Sequence, residues 1–149
     1  MQDHILSIVT FAPLLGALII LLLVRGDDEA AVARNSRWVA VWTSGVTFFV
    51  SLLLWFGFER GTPEFQFVEE VEWMPSLGLT YRMGVDGISV LFVLLSTLLT
   101  PICIISSWGA VTKRVKEYMV AFLILETMMV GMFCALDIVV FYIFFEGVL

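Results

Sequence analysis

Polar and charged residues in this chain gather in short islands, and between them the sequence is almost continuously apolar. Four runs stand out: Ile5–Val24, Trp38–Phe58, Ile88–Trp108 and Tyr118–Leu136, of 20, 21, 21 and 19 residues, the last with Glu126 inside it. At 1.5 Å of rise per residue, each matches a hydrocarbon core of about 30 Å. Backbone groups in lipid must find partners within their own segment, so the runs predict spanning helices. A fifth run opens at Ile138 and reaches Leu149, only about 18 Å of helix. The expected fold class is an all-α polytopic membrane protein with four complete transmembrane helices and the start of a fifth. Residues 1–149 read as the N-terminal part of one integral membrane domain in a longer protein.

The loop from residue 59 to 87 is the long polar interval. Within it EFQFVEEVEW alternates imperfectly and is followed by MPSLG and then LTYRM. This pattern predicts a short outward β-hairpin turning at Pro75–Gly78. Its five glutamates (59, 64, 69, 70 and 72) read as a solvated face or as a docking surface for a neighbouring subunit. GVDGIS then opens the third helix, with Asp86 placed to accept backbone N–H bonds two or three residues on.

Two prolines fall inside predicted spans. Pro13 removes a backbone bond to Val9 and Pro101 one to Thr97, so each predicts a bend. Ser44, Thr47 and Ser51 share a face of the second helix beside Gly45, which reads as close helix packing. Ser89, Ser96, Thr100, Cys103 and Ser107 make a weakly polar stripe on the third, a packing face or the lining of a hydrated path.

Composition agrees with this class. Sixty per cent of residues are hydrophobic and 15% are charged, and mean hydropathy is +1.01, more apolar surface than a soluble domain of this size can bury. A net charge of −6 argues against a nucleic-acid partner. The MQDH start lacks the basic region of a cleavable leader, so the first helix is expected to be retained.

Basic residues set the orientation. Arg25, Arg34 and Arg37 precede the second span, and Lys113, Arg114 and Lys116 precede the fourth, against Arg60 and Arg82 on the other side. The N-terminus is therefore expected outside and those six basic residues inside. Trp38, Trp55, Trp108 and Tyr118 mark run ends, where aromatic belts belong.

Cys103 and Cys134 fall at opposite depths and cannot bridge. Two cysteines and His4 supply no ligand set for a haem, an iron–sulfur cluster or zinc, so no cofactor or metal is expected in this chain. The candidate chemistry lies instead in Glu126 and Glu146. Each stands ten residues from a reversal near Leu136, about 15 Å of helix, which places both carboxylates near mid-membrane. Burial raises the pKa of a carboxylic acid, by ~3–5 units when complete. A nearby cation lowers it by about one unit per ~1.4 kcal/mol of coupling. A buried glutamate with a movable cationic partner is thus a proton site of adjustable affinity. A protonated glutamate bonded across a helix interface is the purely structural alternative.

GVDGIS, STLLTPICIISSW and LETMMVGMFCALDIVVFYIFFEGVL together closely resemble the antiporter-like M-subunit family of proton-translocating NADH–quinone oxidoreductase, respiratory complex I. The resemblance covers Trp73 to Leu149, and the helix pattern before it agrees. It implies a membrane-arm subunit of about fourteen spans built on two inverted five-helix repeats. Glu146 would be the family's translocating glutamate, paired with a lysine on a later helix, and Glu126 a second acidic position. It also implies that FMN, iron–sulfur clusters and the quinone site reside in other subunits. Expected partners are the lipid bilayer and other membrane-arm subunits, including neighbouring antiporter-like ones. The expected location is a bacterial inner membrane, multi-pass, N-terminus periplasmic. Rival readings are an Mrp-type cation/proton antiporter subunit and a structural membrane scaffold.

The orientation is testable by single cysteines in a Cys103→Ser, Cys134→Ser background. Asp27→Cys and Lys113→Cys should react with a membrane-impermeant maleimide only in inverted vesicles, and Glu64→Cys only in right-side-out ones. The reverse pattern overturns the assignment.

Overall fold

The computed structural model describes residues 4–149; the first three residues, which contribute to the leader reading, lie outside that range. Five α-helices and one hairpin follow in order: α1 (Ile5–Leu23), α2 (Glu29–Gly57), β1 (Gln66–Met74), β2 (Leu79–Val85), α3 (Ser89–Ser106), α4 (Val115–Cys134) and α5 (Ile138–Val148). Helices α1 to α4 are each long and apolar enough to cross a membrane. Among the described residues the fold is thus an all-α polytopic bundle with a two-stranded antiparallel sheet, as expected.

α4 is central, packing against α1, α2, α3 and α5, while α1 also packs on α2 and α2 on α3. The bundle turns apolar side chains outward: Leu15, Trp42, Phe49 and Ile105 are all more than half exposed. In water such a surface would drive association; facing lipid, it satisfies the hydrophobic runs.

The second helix departs from the hydropathy reading, starting at Glu29 rather than Trp38. Asp28 caps it by accepting the Ala30 N–H at 3.1 Å. The added turns (AAVARNSR) favour helix without being apolar throughout, and Val32 and Ala33 pack against an apolar cluster that includes Ala17, Ile20, Ala40 and Met119. Hydropathy marks the depth of lipid, whereas the helix continues past it. Arg34 and Arg37 therefore stand on α2, not in a loop. The Arg37 guanidinium donates to the Val111 carbonyl at 2.8 Å and lies over the Trp108 ring, tying α2 to the segment after α3. Lys116 Nζ donates to the Val24 carbonyl at 2.8 Å, closing the end of α1.

Asp86 acts as expected: its carboxylate accepts the Ser89 N–H at 2.7 Å and the Ile88 N–H at 3.0 Å. The Ser89 bond above all holds its carboxyl below the usual carboxylate range. Asp137 does the same for α5, accepting the Val139 N–H at 2.9 Å. Pro13 and Pro101 sit within continuous helices, α1 and α3.

The hairpin turns through Pro75–Leu77 and Gly78, whose φ of 66° is left-handed and suits glycine. Val71 opposes Tyr81 and Glu72 opposes Thr80. One of the loop's five glutamates is neither solvated nor free to dock. Glu69 is only 4% exposed and accepts the Leu6 N–H at 2.8 Å and the Ser7 N–H at 3.2 Å, with the Ser7 hydroxyl on its other oxygen. It caps α1 from a different element, supplying a negative charge to unpaired N–H groups at a helix start. Tyr81 O–H lies 3.0 Å from the Ser7 hydroxyl. Burial pushes the Tyr81 hydroxyl up, the Ser7 bond opposes this, and the Glu69 charge adds to it. On the other strand the Arg82 carbonyl accepts the Leu136 N–H at 2.9 Å, and Gly84 lies so close to Leu136 that a Cβ would overlap it. The hairpin is a clasp joining the start of α1 to the α4–α5 turn.

Replacing Glu69 by Ala should therefore destabilise the subunit by about 1–3 kcal/mol, since it strands buried donors, and should speed amide exchange at Leu6 and Ser7. Glu69→Gln, which keeps an acceptor, should cost less. Unchanged exchange at both amides would rule out the cap.

Candidate functional site

The interior is divided by depth. One apolar cluster includes Leu6, Val9, Leu54, Val93, Val130 and Cys134, and a second includes Ala17, Ile20, Ala40, Ile104, Met119 and Leu123. Between them every one of the four spanning helices places polar or proline positions, all buried or half-buried: Thr10 and Pro13 on α1, Ser44, Thr47 and Ser51 on α2, Ser96, Thr97, Thr100 and Pro101 on α3, and Glu126 and Thr127 on α4. The helices alternate in direction, yet the order cluster, polar stretch, cluster holds along each. These residues form a polar layer midway through the bundle.

Glu126 lies in this layer at 0% exposure, and neither carboxylate oxygen has a hydrogen-bond partner among the described residues. The salt bridge found among those residues joins Arg82 to Glu70 at the exposed hairpin. An ionised carboxylate without donors is among the costliest groups to bury. The neutral acid is far cheaper to bury there than its anion.

The expected stripe on α3 divides. Ser96 and Thr100 are buried with Thr97 in the layer, whereas Cys103, about 60° round the helix from Thr100, is exposed. Gly45 meets nothing close; the close approach to α2 comes from Gly16 of α1, where a Cβ would collide with Thr43. Ser44, Thr47 and Ser51 are buried on one face as expected, and Ser51 bonds Thr97 across to α3 at 2.9 Å.

Glu146 is placed differently from Glu126. On α5 only Val140 and Phe144 are buried, and Glu146 is exposed. The helix is held to α4 by two glycines: a Cβ on Gly131 would overlap the Phe144 ring, and one on Gly147 would meet the Met128 side chain. These contacts fix the register, with 128 opposite 147 and 131 opposite 144. Glu146 thus lies level with Met129, three residues or about 4.5 Å from the level of Glu126. The two carboxylates share mid-depth roughly, as expected, but they do not meet. Glu126 points into the four-helix interior, whereas Glu146 lies on a face of α5 that no described residue covers.

Reading the sequence missed Thr10, Thr127 and Glu69. Thr127 carried a signal in adjoining Glu126, and Thr10 in preceding Pro13 by one turn; nothing in the sequence set Glu69 apart from its four neighbours.

The register can be checked by paired cysteines in a Cys103→Ser, Cys134→Ser background. Met128→Cys with Gly147→Cys should cross-link under mild oxidation, since a Cβ at 147 would lie 3.0 Å from Met128 Cγ. Glu126→Cys with Glu146→Cys should not, and rapid bridging of that second pair would refute the opposed facings.

Residues 30–136 match the family described as NADH-ubiquinone oxidoreductase chain 4, amino terminus. The chain is 53% identical over 98% of its length to NADH-quinone oxidoreductase subunit M of Rhodobacter capsulatus. It is 45% identical over 97% to NADH-ubiquinone oxidoreductase chain 4 of Marchantia polymorpha, and 41% identical over 97% to subunit M of Rickettsia conorii. It spans under a third of the length of these curated relatives, 28%, 28% and 29% respectively. The chain belongs to the NADH-quinone oxidoreductase subunit M (chain 4) family of multi-pass membrane proteins.

Proposed function

We propose that this chain forms the N-terminal part of a proton-translocating membrane-arm subunit of NADH–quinone oxidoreductase, with Glu126 and Glu146 as its proton-carrying groups. The observation that carries the reading is Glu126, a wholly buried carboxyl group without a partner among the described residues, in a polar layer sealed above and below by apolar clusters. Membership of the subunit M family supports it.

The mechanism follows from placement. Electron transfer from NADH to quinone takes place in other subunits, which hold the FMN, the iron–sulfur clusters and the quinone. Its energy reaches this subunit as a change in local charge. Each ~1.4 kcal/mol of interaction with a cation changes the proton affinity of a nearby acid tenfold, so a cation moving toward or away from Glu146 loads or unloads it. The exposed face of α5 admits a helix carrying that cation, from a later part of the subunit or from a neighbouring antiporter-like subunit. The apolar clusters prevent a continuous polar path from joining the two sides, which a pump requires and a channel does not. The subunit sits in a bacterial inner membrane with its N-terminus outward.

Glu146→Gln and Glu126→Gln in the full-length subunit, in inverted membrane vesicles with assembly verified, test this directly. Glu146→Gln should abolish most NADH-driven proton uptake, and Glu126→Gln should lower it. Normal oxidation and uptake in both variants would reduce the glutamates to packing residues and overturn the mechanism. Uptake that depends on sodium and persists without NADH would favour the antiporter reading instead.

A further inference from the structure

The hydroxyls of the polar layer divide by helix. On α2, Ser44, Thr47 and Ser51 donate to the carbonyls of Ala40, Thr43 and Phe48 at 2.8, 2.8 and 2.6 Å. On α3, Ser96, Thr97 and Thr100 donate to those of Phe92, Val93 and Ser96 at 2.9, 3.0 and 2.9 Å. Each of these six is satisfied by its own helix. Thr10 on α1 and Thr127 on α4, at 0% and 1% exposure, could bond back in the same way but do not. Their hydroxyl oxygens and both oxygens of Glu126 have no partner among the described residues.

These four atoms belong to two helices packed directly on one another. Val9 and Val130 share the outer apolar cluster, and Ala17 and Leu123 share the inner one, so Thr10 and the Glu126–Thr127 pair fall in the same interval between them. Pro13 adds an acceptor, because it has no N–H to give the Val9 carbonyl. Native interiors rarely leave so many polar atoms unpaired in one place, and where no protein group serves, buried water does. The set suits water: two hydroxyls that donate or accept, a carboxyl group and a carbonyl.

We infer that the α1–α4 seam is a binding site for a small cluster of water molecules held by Glu126, Thr10, Thr127 and the Val9 carbonyl. The role of these waters rests on the proton-carrying reading of Glu126; the site itself rests on burial and placement. Thr10 and Thr127 are positioning residues that orient water on the carboxyl group. Exchange of the Glu126 proton is cyclic: one carboxyl oxygen gives its proton to an adjoining water while the other takes a proton from the water cluster, so the carboxyl group and every water end neutral. The two apolar clusters flank the seam on either side in depth.

The test uses Thr10→Val, Thr127→Val and the double variant, which preserve shape and remove only hydroxyls, in the assembled complex. The readout is hydrogen–deuterium exchange of the Glu126 carboxyl group, followed by difference infrared spectroscopy against Glu126→Gln, in sodium and in choline media. The double variant should slow exchange by about tenfold, the scale of one or two lost hydrogen bonds, equally in both media, and should lower the midpoint of thermal unfolding. Unchanged exchange with raised thermal stability would mean that the hydroxyls were unpartnered, and overturns the water site. Slowing confined to sodium medium also overturns it, in favour of a bound cation. Normal pumping by Glu126→Gln alongside slowed exchange in the threonine variants would remove the proton-carrying role of Glu126 and leave the water site standing.

Discussion

Nothing in a bilayer core relieves a buried polar group, so each one placed there must be satisfied by the protein or carried at a cost of several kcal/mol. The polar layer of this bundle depends on that constraint. On α2 and α3 the hydroxyls turn back onto their own carbonyls, which makes them compatible with lipid depth and lets the helices approach closely. Glu126 has no such recourse, and the bundle accommodates it by enclosing it within four helices.

The rest of the architecture keeps that enclosure shut. α4 carries the carboxyl group and touches every other helix. Its C-terminal end is held through the α4–α5 turn by β2, and β1 holds the start of α1 through Glu69. The hairpin therefore fixes α1 against α4 at the end where the apolar cluster of Leu6, Val9 and Val130 closes the layer. At the other end, Lys116 on the Val24 carbonyl and Arg37 on the Val111 carbonyl hold α1 to α4 and α2 to the α3–α4 segment. Charged side chains thus brace the ends of the bundle, and its middle relies on packing and the Ser51–Thr97 bond.

α5 is fastened by a different device. Gly131 and Gly147 bring it against α4 closely enough that added methyl groups would collide, and van der Waals contact is the main source of helix association in lipid. The same contacts turn Glu146 away from Glu126. One carboxyl group is thereby sequestered within this part of the subunit, while the other is presented on a face available to a further element. Two acids at nearly one depth thus stand in different surroundings, one buried and one exposed.

Sequence alone determined the membrane class, the number of spans, the hairpin with its turn at Pro75–Gly78, the cap at Asp86 and the presence of two glutamates within apolar runs. All of these follow from local composition: run length against bilayer thickness, turn chemistry, and the rarity of an acid in an apolar run. Tertiary structure alone decided that Glu69 is a buried cap and not a solvated charge, that α2 begins as early as Glu29, and that Thr10 and Thr127 are buried as completely as Glu126. It also decided that Glu126 and Glu146 face apart. Depth along a helix can be counted from residue numbers, but rotation about its axis cannot, because that is set by which small residues meet which large ones across the interface. Here it was set by Gly131 against Phe144 and Gly147 against Met128.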